Sequence, residues 1–122
     1  YLQKRPAWKD IQPGRWDTAV GGHVDYGETI AEALRREVRE EVGVTDFEPQ
    51  HVLTYLFESE RERELVYVYK TVYDGPVVPS GELDGGRFWT LREIAEGVGG
   101  GIFTPNFEGE IRRVAELPDV GR

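Results

Sequence analysis

The stretch from Thr29 to Gly43 constrains the fold more than any other part of the sequence, because its start, its period and its stop are all encoded locally. Thr29-Ile30-Ala31-Glu32 has the spacing of a capping box, in which the threonine hydroxyl and the glutamate carboxylate satisfy the free amides of a first helical turn. Gly43 supplies the residue that most readily turns left-handed at a helix C-terminus. A helix is therefore predicted over about 30–42. On a wheel of ~100° per residue with Glu37 at zero, Ile30, Leu34, Val38 and Val42 fall between about 20° and 140° and form a core face. Glu32, Arg35, Arg36 and Arg39 fall between about 160° and 260° and face solvent. Glu40 lies near ~300° and Glu41 near ~40°, so Glu37, Glu40 and Glu41 share an arc of roughly 100° that borders the core face and partly overlaps it. They are expected to converge on one spot.

Three carboxylates at spacings i, i+3 and i+4 repel one another, and partial burial would raise their proton affinity or weaken the helix. A divalent cation removes that conflict. Oxygen-only ligands suit Mg²⁺ or Mn²⁺ rather than zinc, and Mg²⁺ keeps positions for water and phosphate oxygens. The same glutamates on an ordinary acidic helix would be solvated and paired with Arg36 and Arg39. The chain has no cysteine, which excludes a thiol nucleophile and a thiolate metal site and leaves oxygen and nitrogen groups for any chemistry. Its net charge of −8, from 23 acidic and 15 basic residues, argues against a phosphate-backbone-binding surface and so against a nucleic acid duplex as partner. A small phosphorylated ligand is compatible with that charge if a cation lies between.

Elsewhere the elements are shorter. Tyr1–Arg5 reads as the end of a strand, Pro6, Trp8, Asp10, Pro13 and Gly14 as a loop, and Trp16–Val20 as a second short strand. His51–Glu58 and Leu65–Tyr73 are rich in β-formers and flank the polar run from Ser59 to Glu64, which predicts a hairpin. Gly81–Gly86 is a polar loop before a short strand Arg87–Trp89, and Thr90-Leu91-Arg92-Glu93 is a second capping box. Gly97, Gly99, Gly100 and Gly101 break that helix. Thr104-Pro105 opens the last one, whose apolar face carries Phe107, Ile111, Val114 and Leu117. A chain of 122 residues with 14 aromatic side chains has one core to build. The expected result is a single α+β domain over residues 1–122, a mixed sheet flanked by helices in an α/β/α sandwich.

From Gly22 the sequence runs through five residues to Glu28, seven more, and then Arg36-Glu37-Val38-Arg39-Glu40-Glu41-Val42-Gly43-Val44. Nine defined positions coincide by chance on the order of once in a billion starting points. This segment resembles the Nudix box at every defined position, with the element order similar over most of the remainder. The resemblance implies a loop–helix–loop in which Glu37, Glu40 and Glu41 ligate Mg²⁺ or position the attacking water, and a backbone carbonyl near Gly22 completes the metal shell. Glu28 and Arg36 match the pair that holds the loop on the helix. Glu41 or Glu40 is the implied general base, although some similar proteins use an acid outside the box. Glu108 and Glu110 are such candidates, although they read in the first place as favourable charge near a helix N-terminus.

The reaction implied is hydrolysis of a pyrophosphate bond in a nucleoside diphosphate-X or related small phosphorylated metabolite, with Mg²⁺ as cofactor and Mn²⁺ able to substitute. Candidate substrate-binding residues are Lys4 and Arg5, otherwise solvated strand-end charges, and Trp16 and Phe57, otherwise core aromatics. Tyr55, Arg61 and Arg63 follow them. His23 reads as a loop residue and His51 as a hydrogen-bonded strand histidine. Lys4-Arg5, Pro13-Gly14-Arg15-Trp16 and His23 are also similar to the isopentenyl-diphosphate isomerase branch, but the cysteine that branch uses is absent. A non-catalytic Nudix-fold binding module is a further alternative, disfavoured by the complete box. No apolar run approaches a membrane span and no leader pattern is present, so the expected location is the cytoplasm. Similar proteins carry a strand before the Tyr1–Arg5 segment, which leaves open that this chain lacks an N-terminal strand. The resemblance also leaves the substrate and the oligomeric state open, a homodimer being common among similar proteins.

Overall fold

Local signals decide the helices of this chain, whereas pairing partners decide its strands. The structure, a computed structural model, describes residues 1–8, 12–61, 63–81 and 84–116. Asp10 of the first loop, Glu62 of the hairpin run and Leu117 of the last apolar face lie outside the described residues. The elements follow the order β1 (Leu2–Lys4), β2 (Trp16–Thr18), α1 (Ile30–Val42), β3 (Gln50–Glu58), β4 (Arg63–Lys70), β5 (Gly86–Arg87), α2 (Leu91–Gly97) and α3 (Pro105–Ala115). The expected α+β class holds.

Helix α1 has the predicted ends. The Glu32 amide donates to Thr29 Oγ1 at 3.1 Å and the Thr29 amide donates to Glu32 Oε1 at 2.9 Å. At the other end Gly43 turns left-handed with φ 69°, the conformation glycine adopts without a steric penalty. The carbonyls of Glu41 and Val42, which have no partner inside the helix, accept from the amides of Ser80 and Val78 at 2.9 Å each. This contact ties the C-terminal turn of α1 to the chain that follows the hairpin. Thr90 and Glu93 form the second capping box, on α2. Thr104 caps α3, whose first residue is Pro105.

The strands depart from their expected bounds because a strand lasts only as long as its neighbour. In the hairpin, β4 starts at Arg63 rather than Leu65, since Arg63 pairs with Glu58, and stops at Lys70 rather than Tyr73, since Lys70 faces Gln50 at the start of β3. β5 holds only Gly86 and Arg87, opposite Gln3 and Leu2, and Phe88 and Trp89 leave the ladder. The strands divide into two ladders instead of one sheet: a three-stranded antiparallel sheet in the order β2-β1-β5 and the two-stranded β3-β4 hairpin. One parallel bridge, Trp16 to Phe103, adds to the first.

Alternation along β1 sends its side chains to opposite faces of the small sheet. Leu2 enters a cluster with Phe103 and Phe107, against which Trp16, Trp89, Ile94 and Ile111 pack, so this face belongs to α2 and α3. Tyr1 packs instead on the cluster of Val42, Val44 and Phe47 that α1 and its following turn contribute. The sheet therefore has helices on both sides, the layering expected from the sequence. No helix among the described residues is long and apolar enough to cross a membrane.

Candidate active site

The site is built where the C-terminal half of α1 meets the β1 face that carries Gln3. Ala33 and Val42 are the buried residues of α1. Ala33 lies about 40° to the other side of Glu37 from Ile30 and Leu34, so Glu37 and Glu41 stand inside the buried arc and only Glu40 stands outside it. The expectation that the three carboxylates border the core is corrected accordingly. The Glu40 side chain is 52% exposed and that of Glu37 is 20% exposed.

Arg36 organises the outer part of the site. Its Nε donates to Glu28 Oε2 at 2.7 Å and its Nη2 donates to Glu28 Oε1 at 3.0 Å, the bidentate geometry a guanidinium favours. Its Nη1 donates to Glu37 Oε1 at 2.9 Å and Glu40 Oε2 at 3.3 Å, and its Nη2 also reaches the His23 carbonyl at 3.1 Å. Asp25 lies 3.3 Å from the same guanidinium. The Glu28 carboxylate accepts the Asp25 amide as well, and the Arg36 hydrogen bonds, followed by that amide, hold its pKa down at about 2. Arg36 is held protonated first by the hydrogen bonds it donates to Glu28. The predicted Glu28–Arg36 pair thus fastens the 21–28 loop to the helix.

Glu41 has the opposite environment. Burial, then the neighbouring Glu37 carboxylate through hydrogen bonding and charge, pushes its pKa up to about 7; the Gly21 amide and Gln3 oppose that rise. Gln3 Nε2 donates to Glu41 Oε1 at 3.4 Å, while Glu41 Oε2 is buried without a hydrogen-bond partner among the described residues. Gly22 presses against the other acid: a Cβ built there would collide with the Cδ and Oε1 of Glu37. Two carboxyls on one buried arc, one with an orphaned oxygen and the other against bare backbone, form an oxygen-only donor set that fits a hard divalent cation. Convergence of all three glutamates is not what the structure contains: among the described residues no group of three or more His, Asp or Glu side chains is already gathered to hold a metal ion. The physical reason is that Arg36 takes Glu37 and Glu40 from the outside while Gln3 holds Glu41 from the inside.

The other candidates are dispersed. Lys4 and Trp16 are register partners, and their side chains lie on the face of the sheet opposite Gln3, whose amide reaches Glu41. Lys4 Nζ stands 5.8 Å from the Trp16 ring centroid, and Trp16 packs edge-to-face on Trp89 at 5.2 Å. Trp16 is therefore a core-edge aromatic. The Arg5 amide continues the β1–β2 pairing by donating to the Arg15 carbonyl at 2.9 Å. Phe57 sits half-buried opposite Glu64 on the hairpin. Two residues along, the Tyr55 hydroxyl donates to Glu110 Oε1 at 3.1 Å under the Arg113 guanidinium. Burial raises the Glu110 pKa against that hydrogen bond, and burial followed by the Glu110 charge pushes Tyr55 up to about 12. Glu108 caps the Gly99 amide at 3.1 Å. His23 is a loop residue, 3.7 Å from Glu64, and His51 bonds Thr54 at 2.8 Å. Arg61 and Arg63 are exposed at the hairpin tip. The sequence reading missed Gln3, Gly21 and Asp25. An acidic residue near the box loop was a visible signal for Asp25; nothing local distinguished Gln3.

Comparison with known proteins bears on this arrangement. The family profile described as NUDIX domain matches residues 1–107. An uncharacterised Nudix hydrolase of Pseudomonas aeruginosa is 33% identical over 88 residues, which is 71% of this chain and 52% of that protein. The nucleoside triphosphatase NudI of Escherichia coli is 37% identical over 71 residues, 52% of this chain and 50% of that one. The chain thus spans about half the length of these curated relatives. A protein of Deinococcus radiodurans has a solved structure that superposes with a TM-score of 0.77 at 26% identity, covering 93% of this chain and 72% of that one. The MutT protein of Methanosarcina mazei shares the fold with a TM-score of 0.71 at 24% identity, over 93% of this chain and 80% of that one. The isomerase-like resemblance upstream of the box is not borne out: these relatives are hydrolases by name, and the acid that branch requires is missing, there being no cysteine. With the profile aligned across both ladders and α1, and the box pair Glu28–Arg36 closed as its spacing requires, the chain belongs to the NUDIX domain family.

Proposed function

We propose that this chain is a divalent-cation-dependent pyrophosphohydrolase that cleaves the phosphate–phosphate link of a small phosphorylated substrate. The observation that carries the reading is the pairing of Glu37 and Glu41 on the buried arc of α1, with Glu41 Oε2 lacking a partner among the described residues and the Glu41 pKa pushed up to about 7. A like-charge pair kept in that position is stable at neutral pH only with a proton or a cation between its members. Glu37, Glu40, Glu41 and the Gly22 backbone would hold Mg²⁺, with Mn²⁺ able to replace it. When bound, the ion supplies charge neutralisation at the phosphoryl oxygens.

The rest falls to the protein. Glu41, in preference to the exposed Glu40, takes a proton from water as the water oxygen bonds to phosphorus and the bridging P–O bond breaks, its electron pair leaving on the departing phosphate. Arg36 fixes Glu37 and the 21–28 loop while this happens. Nucleoside triphosphates head the list of substrates because a relative is named for that activity, followed by nucleotide sugars and dinucleotides. The test is release of phosphate or pyrophosphate from this panel with and without Mg²⁺, beside a Glu41→Gln variant. Metal-dependent turnover that the variant lacks is expected. Ligand binding with no turnover by the wild type would overturn the reading in favour of a binding module.

A further inference from the structure

The middle strand of the small sheet buries a polar side chain that the hydrolytic reading leaves without a role. Gln3 is 7% exposed, with Leu2 packed into the core beside it. Its Nε2 donates to Glu41 Oε1 over a long 3.4 Å, yet its own Oε1 is buried and has no hydrogen-bond partner among the described residues. Glu41 Oε2 is in the same condition. Two touching side chains therefore each carry one orphaned acceptor. Leaving a buried acceptor unpaired destabilises the fold, and an apolar residue at this position would avoid that cost. Turning the amide over is no remedy, since it sets Gln3 Oε1 against the Glu41 oxygens and orphans Nε2 instead. Across the ladder, the register partner of Gln3 is Asp17, another acceptor, already occupied at Oδ1 by the Thr18 amide at 2.7 Å. One donor with two hydrogens would satisfy both Gln3 Oε1 and Glu41 Oε2.

We propose that Gln3 Oε1 and Glu41 Oε2 together seat the water molecule that attacks phosphorus, with Gln3 orienting that water and fixing the Glu41 carboxylate through its Nε2. The inference rests on the hydrolase reading above. The seated water gives one O–H to each acceptor and presents its lone pairs away from both. As its oxygen bonds to phosphorus, the proton on the Glu41 side passes to Oε2 and the bridging P–O bond breaks onto the leaving phosphate. The hydrogen held by Gln3 stays on the new P–OH. Gln3 is thus needed for the chemical step and not for substrate capture.

The test compares wild type, Gln3→Met, Gln3→Leu and Glu41→Gln with Mg²⁺ and whichever panel substrate the wild type turns over. Misplacing a reacting group costs on the order of 100-fold, so both Gln3 variants are expected to lose roughly 10- to 100-fold in kcat with KM within about twofold. Their melting temperatures should stay close to the wild type, because the orphaned amide oxygen that is removed offsets the long Nε2 hydrogen bond that Glu41 loses. Mn²⁺ affinity, measured by equilibrium dialysis, should fall by much less than kcat does; a fall as large as the loss of kcat would make Gln3 a support of the ligand Glu41 and overturn the proposal. Retained kcat in either variant overturns the proposal, as does a rise in KM with kcat unchanged. Loss of folding in both would make Gln3 a structural residue and also end it. An active wild type, an inactive Glu41→Gln variant and active Gln3 variants would sink this inference alone; an inactive wild type would remove the hydrolase reading and this inference with it.

Discussion

Glu41→Gln should make the metal-free protein more stable at neutral pH, although the substitution removes a residue of the site. The folded-state pKa of Glu41 is raised from an ordinary value near 4.5 to about 7, by burial first and by Glu37 second. Between those two values the unfolded chain has released a proton that the folded chain retains, so this group's contribution to stability is complete below pH 4.5 and is lost as pH rises towards 7. At ~1.4 kcal/mol per pH unit the full shift is worth ~3 kcal/mol, and solvent screening of a partly exposed carboxyl reduces this to ~1–2 kcal/mol. Glutamine has the same shape, carries no charge and can donate to Glu37. The assay is thermal unfolding in chelator from pH 4.5 to 7.5. The variant's melting temperature, level with the wild type at the acid end, should lie about 3–8 °C above it at the neutral end. Glu110, whose pKa burial also raises, acts in the same direction but is present in both proteins and cancels. Glu28, held down at about 2, loses its contribution only below this window. Mg²⁺ should close the gap at pH 7.5 by binding the ionised wild-type carboxylate. A difference that stays flat across the pH range, or a variant less stable than the wild type at pH 7.5 in chelator, would refute the assignment of Glu41 as a strained, like-charged acid.

Three further substitutions test the surroundings. Gly22→Ala drives a methyl group into the Glu37 carboxyl; because the tip of that side chain can swing away, the melting temperature should change little while Mn²⁺ affinity falls by roughly tenfold or more, measured by equilibrium dialysis. Arg36→Met leaves Glu28, Glu37 and Glu40 without their shared donor, and activity should fall by roughly 10- to 100-fold while limited proteolysis cuts the 21–28 loop before any other segment. Tyr55→Phe takes the hydroxyl donor from Glu110 and should cost ~1 kcal/mol in urea unfolding without altering kcat; a selective loss of kcat would instead make Glu110 part of the chemistry.

What was legible in the sequence was local, and what was hidden depended on which strand met which. The Thr29 capping box, the Gly43 stop and the Glu28–Arg36 pair span at most one helix and its leading loop, so spacing alone carried them into three dimensions. The strand ends could not be read in this way, because β4 ends where β3 provides no further partner. Lys4 and Trp16 looked like substrate contacts from their chemistry, but their register sends them to the face of the sheet turned away from Gln3 and Glu41. Gln3 shows the limit most clearly. In Leu2-Gln3-Lys4 it is one polar residue beside another, indistinguishable from a solvated strand position. Only the placement of β1 between β2 and β5, with α1 on one side, turns it into a buried amide facing a carboxylate. A buried polar residue whose partners come from three distant parts of the chain leaves no periodic trace. The same non-local enclosure leaves its oxygen without a protein donor among the described residues, and it is that unpaired acceptor, beside the one on Glu41, from which the proposed role of Gln3 follows.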